Sequence, residues 1–199
     1  MLSLILLALA PQPLQLTFVR HAETVANATG RYTATTVDTF SAKGIAEVRA
    51  LTNHLLAGPK YDLILVSPSP RAMVTILPYL EMSPQRALIW PLLDECCTGK
   101  RPPNAHPTNF QWGSAIRIPP RMAHYFALMP NENRLPVASD YDAGLAQVEA
   151  EIKEYNTRFR HGRVLLVGHS GNGGQFVHEL TGKWKKIDNA APFLLPLSP

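Results

Sequence analysis

Leu16-Thr17-Phe18-Val19-Arg20-His21-Ala22-Glu23-Thr24 is a mostly apolar run that hands an arginine and a histidine into a turn of small residues. Val164-Leu165-Leu166-Val167-Gly168-His169-Ser170-Gly171 repeats the arrangement near the other end of the chain. Apolar runs this short and continuous read as strands buried on both faces. Two histidines leaving two such strands, one beside an arginine, suggest a pocket for a phosphate group. Imidazole can attack phosphorus, and a guanidinium offers a planar fork of donors that matches phosphate oxygens. One such histidine alone would read as an ordinary half-buried side chain. The pair, with the partners below, reverses that reading.

Outward from these strands the chain alternates. Ser41 is placed to cap a helix running to Ala57, with Ile45, Val48, Leu51 and Leu55 spaced at three and four, and Gly58-Pro59 stops it. Asp62–Ser67 reads as a buried strand. Ser69 and Pro70 then open a helix as its cap and first residue. Ala87–Trp90 reads as another strand. Residues 91–138 are loop-rich, with one helix expected near Arg121–Leu128. Asp140 opens a long helix striped by Leu145, Val148, Ile152, Tyr155 and Phe159, and a glycine-rich helix starts near 171. The expectation is an α/β fold, a three-layer α/β/α sandwich around a mostly parallel central sheet. Ligands of such sheets bind outside the carboxyl ends of the strands. His21, Ser67 to Arg71, and His169 all belong to ends of that kind.

The 199 residues suit one catalytic domain over 16–199, with an irregular insertion at about 100–138. With 46% hydrophobic and 17% charged residues the chain is globular rather than disordered. A net charge of +4 without a long basic run argues against nucleic acid and suits a small anionic partner. Lys183, Lys185 and Lys186 read as a solvated face. Cys96 and Cys97 are adjacent, which implies no disulfide framework and reads as two small buried side chains.

Residues 1–15 read as a signal peptide or apolar leader. Leu2 to Ala10 closes on Ala8-Leu9-Ala10, a small-x-small pattern like a cleavage site. The run is too short to span a bilayer, so no stable membrane insertion is expected. The expected location is secreted or extracellular, with the cytoplasm as the alternative. Asn27-Ala28-Thr29 is a glycosylation sequon, and a glycan there would obstruct a pocket that Asn27 lines.

Arg20-His21-Ala22-Glu23-Thr24-x-x-Asn27, Arg31, Ser67-Pro68-x-x-Arg71-Ala72, Leu93-x-Glu95 and Gly168-His169-Ser170, in that order, resemble the histidine phosphatase superfamily, and within it the phosphoglycerate-mutase-like branch. Alanine at 22 and Asn172-Gly173-Gly174 depart from the pattern. The resemblance implies a small phosphatase in which His21 is the nucleophile and forms a phosphohistidine. Arg20, Asn27, Arg71 and His169 would bind the phosphate, and His169 would be catalytic as well, as a further donor to the equatorial oxygens. Arg31 is a further candidate for substrate binding, and Glu95 would be the proton donor. No cofactor and no metal are implied, because arginines and histidines supply the positive charge.

The implied reaction is metal-independent hydrolysis of a phosphomonoester of a small metabolite. Three alternatives stand beside it. One is a mutase-type phosphotransferase, and another is a non-catalytic phosphoester-binding protein of the same fold. The third is a serine hydrolase using Ser170, since Gly168-His169-Ser170-Gly171-Asn172 nearly matches the G-x-S-x-G elbow. Nothing in the sequence fixes the oligomeric state.

Overall fold

The computed structural model describes residues 13–94, 113–135 and 161–195, and positions 143, 146 and 150; the side chains of Asn172 and Leu180 fall outside the description. The expected leader through residue 12, Glu95, both cysteines and most of the helix expected from Asp140 lie outside the described residues. Ala143, Ala146 and Ala150 are helical.

Among the described residues six strands form one sheet: β1 (Gln15–Arg20), β2 (Leu63–Val66), β3 (Ala87–Ile89), β4 (Phe126–Leu128), β5 (Arg163–Gly168) and β6 (Phe193–Leu194). Their order is β4-β3-β2-β5-β1-β6. Every pairing is parallel except that of β1 with the edge strand β6. β1 and β5 run in register from Gln15 opposite Arg163 to Arg20 opposite Gly168, so both histidines emerge side by side.

Side chains alternate across the sheet with the strand period of two. Val19, Ile64, Val66, Leu165 and Val167 face α2 (Ala42–Ala57) and α3 (Pro70–Glu81). Leu16, Phe18, Leu65, Val164 and Leu166 share the opposite core with Phe176 and Val177 of the helix Ser170–Thr181. Both faces are therefore covered, which is why the runs are continuously apolar. Each wholly buried leucine of this kind contributes about 1.5–3 kcal/mol. A short helix, α1 (Val25–Thr29), follows the turn after β1, and Ser170–Thr181 is α4. No described helix is long and apolar enough to cross a membrane.

Several expectations need correction. No helix forms near Arg121–Leu128: Pro120–Met122 is a 3-10 turn and β4 follows it. The free edge of β3 wins, because Ala87 donates to the Tyr125 carbonyl (2.9 Å) and Met129 to the Ile89 carbonyl (3.1 Å). Phe126 is thereby buried. Ile45 is not on the buried stripe of α2 and stands 58% exposed. Gly44 faces inward instead, against the Glu23 carbonyl, where a Cβ would collide. Ser41 caps α2 as expected, accepting from the Gly44 amide at 3.0 Å. Ser69 precedes α3 but makes no side-chain cap bond; its hydroxyl is used in the site below.

Candidate active site

Four neighbouring strands end at one rim. β1 leads to His21, β5 to His169, β2 to Ser67, and β3 to a 3-10 turn closed by Asp94. The ladder continues past the strand ends and fixes these positions. His21 N–H donates to the Gly168 carbonyl at 2.9 Å, Ser67 N–H to Val167 at 2.8 Å, and Trp90 N–H to Val66 at 2.9 Å.

His21 is 3% exposed. Its Nδ1 lies 2.8 Å from the Ala22 carbonyl. A carbonyl only accepts, so Nδ1 carries the proton and Nε2 keeps the lone pair. Burial lowers the pKa of the ring from 6.5 to about 3, opposed by the Ala22 hydrogen bond and assisted by Arg71 and Arg20. The ring is thereby held neutral at neutral pH. Its backbone is braced from two sides. Ala22 N–H donates to Thr75 Oγ1 (2.9 Å), which donates to the Arg71 carbonyl (2.7 Å) and ties the turn to α3. Asn189 Nδ2 donates to the His21 carbonyl at 2.8 Å.

His169 is wholly buried, its ring centroid 5.2 Å from that of His21. Burial, then Arg71, His21 and Arg20, lower its pKa well below 6.5. Arg71 Nη2 approaches Nδ1 at 3.2 Å, while Ser67 Oγ (2.9 Å) and Ser69 Oγ (3.3 Å) face Nε2. Asp94 Oδ1 is 3.7 Å from the same nitrogen.

A cavity of about 420 Å³ opens over this rim, lined by Arg20, His21, Asn27, Arg71 and Asp94 among others. Nε of Arg20 is buried without a hydrogen-bond partner among the described residues, and Nη1 of the same side chain donates to the Ile187 carbonyl at 3.3 Å. Asp38 accepts from the Arg71 amide (3.2 Å) and from Nη1 (3.5 Å), a partner the sequence reading missed because it sits in an irregular loop. Asn27 Oδ1 closes a capping box with Thr24, accepting its amide at 3.2 Å.

The structure thus brings Arg20, His21, Asn27 and Arg71 to one cavity, whereas His169, expected to touch the phosphate, is wholly buried beside Arg71 and does not line it. Arg31 is exposed on the loop beyond α1 and does not line the cavity, whereas Arg117 does. Glu95 lies outside the described residues. Glu23 is structural: it accepts from Ser41 Oγ (2.7 Å) and pairs with Lys43 (2.9 Å). Ser170 begins α4, and among the described residues no hydrogen bond joins it to a histidine.

The sequence model described as histidine phosphatase superfamily (branch 1) matches residues 16–190. No curated protein matches the chain. Solved structures share its fold. A putative alpha-ribazole-5'-P phosphatase from Escherichia coli K-12 is 20% identical over 91% of this chain and 89% of its own, with a TM-score of 0.58. The alpha-ribazole phosphatase of Shigella flexneri is 21% identical over 90% and 89%, at 0.56. A phosphoglycerate mutase from Thermus thermophilus is 18% identical over 90% and 91%, at 0.52.

Proposed function

The chain belongs to the histidine phosphatase superfamily, branch 1, and on that premise we propose that it is a metal-independent phosphomonoesterase working through a phosphohistidine on His21. Membership supports phosphoryl transfer of phosphatase or mutase type; hydrolysis of a small phosphorylated compound is the reading advanced here. One observation carries it. A neutral, oriented imidazole, with Nδ1 tied to a backbone carbonyl and Nε2 left with the lone pair, lines one cavity with the guanidinium side chains of Arg20 and Arg71.

In the first half-reaction Nε2 attacks phosphorus, an N–P bond forms and the P–O bond to the leaving group breaks. The positive charge that develops on the ring is shared with the Ala22 carbonyl through Nδ1–H. Arg20 and Arg71 stabilise the charge on the equatorial oxygens, with Asn27 adding a neutral donor. Glu95, next in the chain after Asp94, gives its proton to the leaving oxygen and takes one back from water. That water then hydrolyses the phosphohistidine. His169 lies buried against Arg71, behind the cavity lining, and supports that guanidinium.

Hydrolysis of p-nitrophenyl phosphate with excess EDTA tests this reading. The wild-type enzyme should turn over, and His21→Ala should keep no more than a few per cent of that rate. A metal requirement, or substantial turnover by the variant, would overturn it. Among natural compounds, the kind of phosphate ester named for the Escherichia coli neighbour is a reasonable first substrate to assay.

A further inference from the structure

β3, β2, β5 and β1 lie side by side in that order. The residues they deliver follow the same order: Asp94, Ser67, His169, His21. Arg71 meets His169 from α3 above this row. Hydrogen bonds run along it, and their direction can be deduced.

A guanidinium has donors and no acceptor, so His169 Nδ1, 3.2 Å from Arg71 Nη2, must offer its lone pair. A neutral ring then carries its proton on Nε2 and points it at Ser67 Oγ, 2.9 Å away. Ser67 Oγ already accepts from the Ser69 amide at 3.1 Å. Its own proton is left for Asp94 Oδ1, at 3.4 Å. The chain runs from Arg71 through His169 and Ser67 to the carboxylate without a conflict.

We propose that Asp94, acting through Ser67, is a positioning residue that keeps the His169 proton on Nε2 and so holds the Nδ1 lone pair toward the Arg71 guanidinium. A hydroxyl can donate or accept, whereas a carboxylate only accepts. Asp94 removes the ambiguity. Without it the Ser67 hydroxyl can turn and donate to Nε2. The ring proton then moves to Nδ1 and faces the donors of Arg71, which has to leave. This gives Ser67 and Ser69 a purpose beyond turn and cap: Ser69 Oγ lies 3.3 Å from Nε2 rather than on the end of α3. Among the described residues, the charged and titratable groups facing His169 are Arg71 from α3, Arg20 and His21 from the end of β1, and Asp94 from the turn after β3. The first three oppose a proton on the ring, and Asp94 is the carboxylate that directs where the one it has resides.

The consequence for catalysis rests on the reading that Arg71 clamps the phosphate. Nitrogen-15 NMR of the His169 ring, on the full chain without substrate at neutral pH, tests the proposal. The wild-type ring should show a protonated Nε2 and an unprotonated Nδ1. Asp94→Ala should show both neutral forms in exchange. It should also lower kcat/KM for an aryl phosphate about tenfold, since small misplacement of a clamp costs up to about a hundredfold. In a Ser67→Ala background the same removal should change both readings much less, because the hydroxyl is gone and only the direct approach of Asp94 Oδ1 to Nε2 at 3.7 Å is left. A wild-type ring with its proton on Nδ1 overturns the proposal, whether or not any variant folds. So does a loss on removing Asp94 that is undiminished without Ser67. An enzyme that hydrolyses no phosphate ester would sink the proposed function instead, and the ring signature, read without substrate, would still decide this point.

Discussion

The proposed role of His21 rests on its two unequal nitrogens: Nδ1 is bound to a backbone carbonyl 2.8 Å away, and Nε2 keeps its lone pair. Burial and two guanidiniums keep the ring neutral, its pKa lowered from 6.5 to about 3. An NMR titration of His21 should therefore show no midpoint near 6.5, and one there would remove the basis for a neutral nucleophile. Stability follows the same linkage. The unfolded chain takes up this proton first as pH falls, so the stability from this ring is whole above about pH 6.5 and is lost toward pH 3. His169, lowered for the same leading reason, acts in the same direction. Glu95 makes a separate prediction. Glu95→Gln should slow an alkyl phosphate by about a hundredfold and an aryl phosphate much less, because only the poor leaving group needs the proton. Equal losses on the two esters would remove Glu95 from that role.

At the scale of elements, the rim is held by a segment far away in sequence. Beyond α4 the chain returns at residues 187–190. The Ile187 carbonyl accepts from Arg20, Asn189 donates to the His21 carbonyl, and the Ala190 amide donates to the Arg20 carbonyl at 2.9 Å. Ala190 adopts φ +47° to make the turn, a conformation that alanine rarely takes. Asn189→Ala and Asn189→Asp should each lower kcat about tenfold, since neither replacement can donate to that carbonyl. Unchanged kcat in both would mean that the brace does not position the nucleophile. The sequence made β1, β2, β5 and α3 legible, because continuous apolar runs and a proline at a helix start are local signals. It hid the pieces that depend on distant partners. β4 exists because β3 has a free edge, and β6 is two residues long. α1 is capped by Thr24 and Asn27 rather than by the usual acidic residue at the third position. The helical period sets the direction of the α2 stripe without revealing that Gly44 packs against the Glu23 carbonyl, and Ile45 stands in solvent instead.

For the whole molecule, the parallel sheet concentrates chemistry from separate stretches of sequence at one rim, and the net charge of +4 suits an anionic substrate drawn to it. Both histidines and the arginines at 20 and 71 were readable in advance, because each sits at or just past the end of an apolar run. The contacts of Asp38, Ser67 and Ser69 are not readable, since hydroxyls and a loop carboxylate carry no periodic signal. Ser67 and Ser69 meet His169, and Asp38 meets Arg71, only in the folded chain. The central claim is that His21 carries the phosphoryl group between substrate and water, and trapping that state tests it most directly. Enzyme quenched in base during turnover of a radiolabelled phosphate ester should retain label that is stable to alkali and lost in acid. That label should map to the peptide containing His21 and be absent from His21→Ala. Full turnover with no such label, or label on another residue, would contradict the account.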